Sequence, residues 1–136
     1  MIRIKDEHAA RLAKMHPDLV ILALGSALTD GAQGIAEDAA FSIRDGAISG
    51  AGHVPSLSGQ PPNADTHDLD QSIHVGDLIE TPDRVQTSVI ADSDHALYME
   101  LGTTRIEERP FMRPAVTKNR AGVLDRLRDT FRKVVR

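Results

Sequence analysis

The chain has no cysteine and no tryptophan. Lack of cysteine excludes a disulfide framework and thiolate metal sites, and it suits a reducing cytosol. Aromatic residues make up only 3% of the sequence, so platforms on which bases or sugars could stack are scarce. Positive charge is not in excess either. The formal net charge is −4, and the overall balance does not recruit nucleic acid by counterion release. Long apolar runs are missing: Leu19 to Leu24 is far too short to span a bilayer. The opening stretch "MIRIKDEHAARLAK" is charged and has no apolar centre, so a signal peptide is not expected. At 136 residues there is room for one core, and a single domain over 1–136 is expected. The composition reads as soluble, cytosolic and globular.

Helical periodicity dominates the first third. Asp6 can cap a short helix over residues 6–15, with Ala9, Leu12 and Ala13 on one face. Pro17 suits the first turn of a new helix, where its missing N–H costs nothing. Val20, Leu24, Ala27, Leu28, Gly31, Ile35, Ala39 and Ile43 recur at helical spacing and predict a helix from Asp18 to about Arg44. Asp45-Gly46 is its expected stop. Such a helix is roughly 40 Å long at about 1.5 Å per residue, as long as the body of a compact chain of this size. Small residues at Ala23, Gly31, Ala32 and Ala36 allow close approach of another backbone, within the chain or from a neighbouring subunit.

Residues 46–71 then change character. Gly, Pro, Ser, Asn and Asp dominate, and Pro61-Pro62 forbids a helix or a central strand. A loop of this length is either a disordered surface segment or an arm that orders against a partner. "SIHVGDLIET" and "RVQTSVIAD" follow as two strands joined by Pro82-Asp83. A lone hairpin is marginal, so it needs a third strand or the long helix as cover. Residues 94–101 suit a short helix ended by Gly102. Pro114 opens a C-terminal helix with Val123, Leu124, Leu127, Phe131 and Val134 as its stripe, and its basic tail favours the negative end of the helix dipole. The expected class is α+β: a long N-terminal helix and a C-terminal helix packed on a small antiparallel sheet, with a long Pro/Gly-rich loop over about 46–71.

Chemistry is hard to find. The six histidines include no HExxH and no pair at i, i+4. "DTHDLD" places carboxylates beside His67, but it lies in the loop without a second histidine at ligand spacing. Ser56, Ser58 and Ser88 lack the context of a nucleophile elbow. "GAISGAG" fits neither a P-loop nor a dinucleotide fingerprint. Glu100 is a general base in principle, and a capping or salt-bridge residue by position. With no nucleophile, base and oxyanion donor together, no catalysis, cofactor or metal is expected.

One segment stands apart. "YMELGTTRIEERPFMRPA", from Tyr98 to Ala115, resembles the signature of the head–tail joining (neck, or tail-completion) proteins of long-tailed bacteriophages and related gene transfer agents. Tyr98, Glu100, Leu101, Gly102, Thr103, Arg109, Pro110, Phe111, Met112, Arg113, Pro114 and Ala115 match its aromatic, E-x-G-T and RPFMRPA elements. A second stretch is similar to a family loop, with Gly59, Pro61, Pro62, Asp65, Thr66, Leu69, Ser72 and Ile73 in place. His67 departs from it, because glycine is usual there. The resemblance covers residues 53–115.

This resemblance implies a structural virion protein, made in the host cytoplasm and built into the neck. It implies a ring, of the hexamer or dodecamer kind, that joins the portal or connector side of the head to the tail and lets DNA pass. Its partners would be copies of itself, a head-completion or connector protein, and a tail terminator or tail tube protein. Interface candidates are Tyr98, Glu100, Gly102, Thr103, Arg109, Pro110, Phe111, Met112, Arg113 and Pro114, with Pro61, Pro62, Asp65 and Thr66 on the loop. Pro110 and Pro114 stiffen the chain around Phe111 and Met112, which suits a knob entering a pocket on its own hairpin or on the next subunit; the second is favoured. An acidic wall around DNA would draw on Asp65, Asp68 and Asp70, or on Glu37 and Asp38. Two other classes stay open: a small regulatory or nucleic-acid-binding module using the C-terminal helix, and a small hydrolase using Glu100 and a histidine.

Overall fold

The computed structural model describes residues 16–45, 52–63 and 67–135, together with Glu7, Arg11 and Lys14. The helix expected over residues 6–15 lies outside the described residues apart from Glu7, Arg11 and Lys14, which are helical. The fold is α+β, and its spine is α1, Pro17–Arg44. Pro17 sits in the first turn, Asp18 faces the positive end of the dipole and Arg44 the negative end. At 28 residues the helix is about 42 Å long. It stops at Asp45, whose extended backbone still donates its N–H to the Phe41 carbonyl at 2.9 Å; Gly46 lies outside the described residues.

The inward face of α1 is built almost wholly from small residues, including Gly25, Ala27, Gly31, Ala32, Ala36, Ala39 and Ala40. The C-terminal helix, Met112–Val134, runs antiparallel along it. A Cβ on Gly31 would lie 2.9 Å from Val123 Cγ2, so the helices approach as closely as glycine allows. Further along, Asn119 Nδ2 donates to Asp38 Oδ2 at 2.7 Å and to the Ala115 carbonyl at 2.8 Å. Lys118 Nζ stands 3.6 Å from the same Asp38 oxygen. The small residues therefore serve packing within the chain. By length and composition alone α1 could cross a membrane, but here its small-residue face is occupied by the rest of the fold.

A bent antiparallel hairpin covers another side of α1. Strand β1 (Ile73–Val75) pairs with β4 (Val89–Ala91), and β2 (Ile79–Thr81) with β3 (Arg84–Gln86). Pro82 and Asp83 make the turn, as expected. Val75 opposes Val89, yet Ile79 opposes Gln86, so residues 76–78 face only 87–88. That extra residue is a bulge, which breaks each expected strand in two. Gly76 donates its N–H to the Ser88 carbonyl at 2.7 Å, and a Cβ on it would lie 2.5 Å from Ser88 Oγ. Beyond the bulge the tip reaches α1, where Leu78 and Glu80 close over Gly25. The long helix, not a third strand, supplies the cover.

Among the described residues two short helices complete the fold: α2, Asp68–Gln71, and α3, Ala96–Leu101; the C-terminal helix is α4. The core lies where α1, α3, the hairpin and the start of α4 meet. Ala39, Ile43, Ala96, Phe111 and Ala115 are buried there, flanked by Ile35, Leu69, Ile73, Ala91, Met99 and Met112. Phe111 is 2% exposed. This corrects the expectation of an exposed Phe111 knob for the next subunit: its pocket is inside its own chain. Burying such a ring stabilises the monomer by about 1.5–3 kcal/mol.

Candidate functional site

The site grows from the turn after α3. Gly102 ends that helix with φ 72° and ψ 173°, a conformation open in practice only to glycine. A Cβ there would lie 2.9 Å from the Glu108 nitrogen and 3.0 Å from the Ile106 carbonyl oxygen. Thr103 pins the returning chain. Its N–H donates to the Ile106 carbonyl at 2.7 Å, and its hydroxyl accepts from the N–H groups of Arg105 at 3.2 Å and Ile106 at 3.0 Å. The Arg109 N–H then donates to the Met99 carbonyl at 2.6 Å. The effect is to bring the start of α4 back onto Glu100.

The Glu100 carboxylate caps α4 from outside. Oε2 accepts from the N–H of Phe111 at 2.9 Å and of Met112 at 3.0 Å. Oε1 accepts from the Arg113 N–H and from Arg113 Nε, both at 2.9 Å. The next residue, Pro114, has no N–H to satisfy. Four donors are normally left unpaired at a helix start; here three meet one carboxylate and the fourth is deleted. Negative charge at this end also complements the dipole. The expectation that Pro114 opens the helix is corrected: α4 starts two residues earlier, at Met112, because Glu100 provides for the N–H groups that would otherwise forbid it.

Arg113 closes the arrangement from the solvent side. Its Nη2 donates to the Glu100 carbonyl at 2.6 Å and to Glu108 Oε2 at 3.0 Å. Burial pushes the Glu100 carboxyl up, but the N–H groups of Met112, Phe111 and Arg113 and the Arg113 guanidinium outweigh it and hold it below its ordinary value. The carboxylates of Glu108 and Glu100 in turn raise Arg113. Every strong acceptor direction on Glu100 is thus engaged, so it is equipped to hold a helix and ill placed to take a proton from a substrate.

The remaining expected residues divide by face. Phe111 and Met112 turn inward, while Pro110 and Pro114 line an open groove of about 510 Å³ with Glu108, Arg113, Thr117 and Lys118. Tyr98 is half exposed beside the more exposed Leu97 and Leu101 on α3. Pro62 is buried and Pro61 half-buried; Asp65 and Thr66 lie outside the described residues. The loop is held to the signature segment. Gly59 donates its N–H to the Glu108 carbonyl at 2.9 Å, and Arg109 Nε donates to the Ser56 carbonyl at 3.2 Å. Over residues 52–63, then, the expectation of an arm ordered only by a partner is corrected: the chain's own Glu108 and Arg109 supply the contacts.

Two acidic positions expected on a wall are spent elsewhere. Asp70 is 4% exposed, with Arg44 Nε at 3.7 Å and His67 Nδ1 at 3.2 Å, and Asp38 is engaged by Asn119 and Lys118. Asp68 and Glu37 stay exposed. His67 has φ 66°, in the left-handed region. The turn therefore keeps the shape that glycine would give, and its contact with Asp70 helps hold it there. Sequence reasoning missed Glu108, Ser56 and Asn119. Glu108 acts through Arg113 and Gly59, Ser56 through Arg109 and Asn119 through Asp38, contacts that no local pattern marks.

Among the described residues no group of three His, Cys, Asp or Glu is placed to hold a metal ion. Comparison with protein-family models, curated proteins and solved structures found no match.

Proposed function

We propose that the chain is a structural virion protein of a bacteriophage neck, forming a ring that joins head to tail and lets DNA through. The observation that carries this reading is that the two stretches resembling the neck family form one unit. Loop residues Ser56 and Gly59 bond to Arg109 and Glu108, and Glu100 of the same segment caps the Pro-bracketed start of α4. The signature residues thus act as architecture, which is what a scaffold protein requires. Leu19, Leu22 and Phe41 on α1 and Leu97 and Leu101 on α3 are 59–64% exposed, and an assembly gives such side chains somewhere to go.

Labelling the protein in purified particles tests the reading. Label at the junction of head and tail is expected; particles free of the protein would defeat the proposal. Salt-sensitive retention on DNA by such a particle-free protein would favour the small nucleic-acid-binding module.

A further inference from the structure

Charge is divided unevenly across the fold. From residue 67 to 95 the exposed side chains include Asp68, Asp77, Glu80, Asp83, Asp92 and Asp94, against Arg84 as the sole Lys or Arg. On α4 the sign reverses. Arg120, Arg126, Arg128, Arg132 and Lys133 are exposed on a helix whose acidic residues are Asp125 and Asp129. Those two pair with Arg128 and Arg132 on α4 itself. No salt bridge among the described residues joins the hairpin to α4. The reason is geometric: the hairpin meets α1 at Gly25 and α4 meets it at Gly31, positions that point roughly 120° apart on a helix.

We propose that these are the two halves of one contact, in which the acidic hairpin of one copy binds the basic outer face of α4 on the next copy. The hairpin adds apolar surface to such a contact through the exposed Ile79 and Ile90. Because the two patches differ and sit on different sides of the subunit, the contact is head-to-tail. A head-to-tail contact closes into a ring or extends as a filament, and does not stop at a two-fold dimer. The inference deepens the neck reading by naming the surfaces that bring its subunits together. Like charge within each patch also suppresses hairpin-to-hairpin and helix-to-helix pairing.

The test uses the full chain with two pairs of reversals, Asp77→Lys with Asp83→Lys on the hairpin, and Arg126→Glu with Lys133→Glu on α4, two exposed residues seven apart and so on one face of the helix. Thermal melts of each variant in dilute solution check that the subunit still folds. Sedimentation in low salt is expected to show self-association of the natural chain, weakened at least about tenfold by either reversal alone. Mixing the two variants in equal amounts is expected to restore it, since every contact in the mixture is again between opposite charges. A natural chain that stays monomeric in low salt at high concentration would overturn the contact, as would reversals that leave association unchanged. Loss of retention on DNA after the α4 reversal, with association intact, would overturn it in favour of a nucleic-acid-binding face. Particle labelling is independent: a labelled neck with no effect of the reversals defeats this contact alone, whereas mixing-dependent association of a protein absent from particles defeats the neck reading alone.

Discussion

Replacing Glu100 by glutamine should cost far more than a surface charge does. The carboxylate uses both oxygens, Oε2 for Phe111 and Met112 and Oε1 for the Arg113 backbone and guanidinium. An amide can place its oxygen on only one side, so its NH₂ must face either the first two donors or the Arg113 pair. Two charge-assisted bonds are lost, each of about 1.5–3 kcal/mol, and the N–H groups they satisfied are left against another donor. Arg113 is 55% exposed and Glu100 only 14%, so water recovers part of the loss on the arginine and little at the carboxylate. The net cost is about 3 kcal/mol, a fall in Tm of roughly 10 °C for a domain of this size. The pH dependence has a fixed sign. Because the folded state holds the Glu100 carboxyl below its ordinary value, the unfolded chain takes up the proton first as pH falls. The advantage over glutamine is therefore fully present above the ordinary carboxylate value near ~4.3, and is lost as pH drops through the folded value. Melting curves of both proteins from pH 7 into the acid range measure this. A glutamine variant that melts within about 2 °C of the natural chain at pH 7 would refute the capping argument.

Other substitutions probe the same framework. Gly102→Ala should destabilise by about 1–3 kcal/mol from backbone strain alone, read as a lower urea midpoint, whereas Gly122→Ala, where a Cβ would meet nothing within 4 Å, should stabilise by about 0.5–1 kcal/mol. Gly34→Ala should behave like Gly122→Ala, since its nearest neighbour would be Asn119 Oδ1 at 3.7 Å. Phe111→Ala should lower the stability of the dilute monomer by about 3–5 kcal/mol; a variant monomer that melts normally and fails only in assembly would restore the intersubunit pocket. Arg109→Ala should speed amide exchange at Gly59 and its neighbours while leaving α1 protected, and unchanged exchange there would mean that the loop is held by something else.

Much of the fold was legible because its signals are local. Pro17 marks one end of α1 and the helical recurrence from Val20 to Ile43 fixes its course; Gly102 marks the end of α3 because its backbone angles suit no other residue. The bulge at Gly76 leaves only a faint trace in the sequence: the apolar residues step from Val75 to Leu78 and Ile79 out of strict alternation, while Val85, Thr87 and Val89 on the partner strand keep it. The start of α4 was misplaced for a related reason. A helix normally carries its cap in its own first residues, and here the cap comes from Glu100 on another helix. Phe111 was misread because prolines and arginines beside it suggest exposure, while the fold turns the ring inward and leaves Pro110, Arg113 and Pro114 lining the groove. Local composition describes the neighbours of a residue along the chain; burial depends on the return of α4 across α1 and α3.

The proposed neck role is tested most directly by disrupting the gene for this protein and examining, by electron microscopy, the particles its host then releases. The account predicts filled heads and finished tails in the same lysate, left unjoined, with joining restored when the natural chain is supplied. Normally joined, infectious particles made without the protein would contradict it.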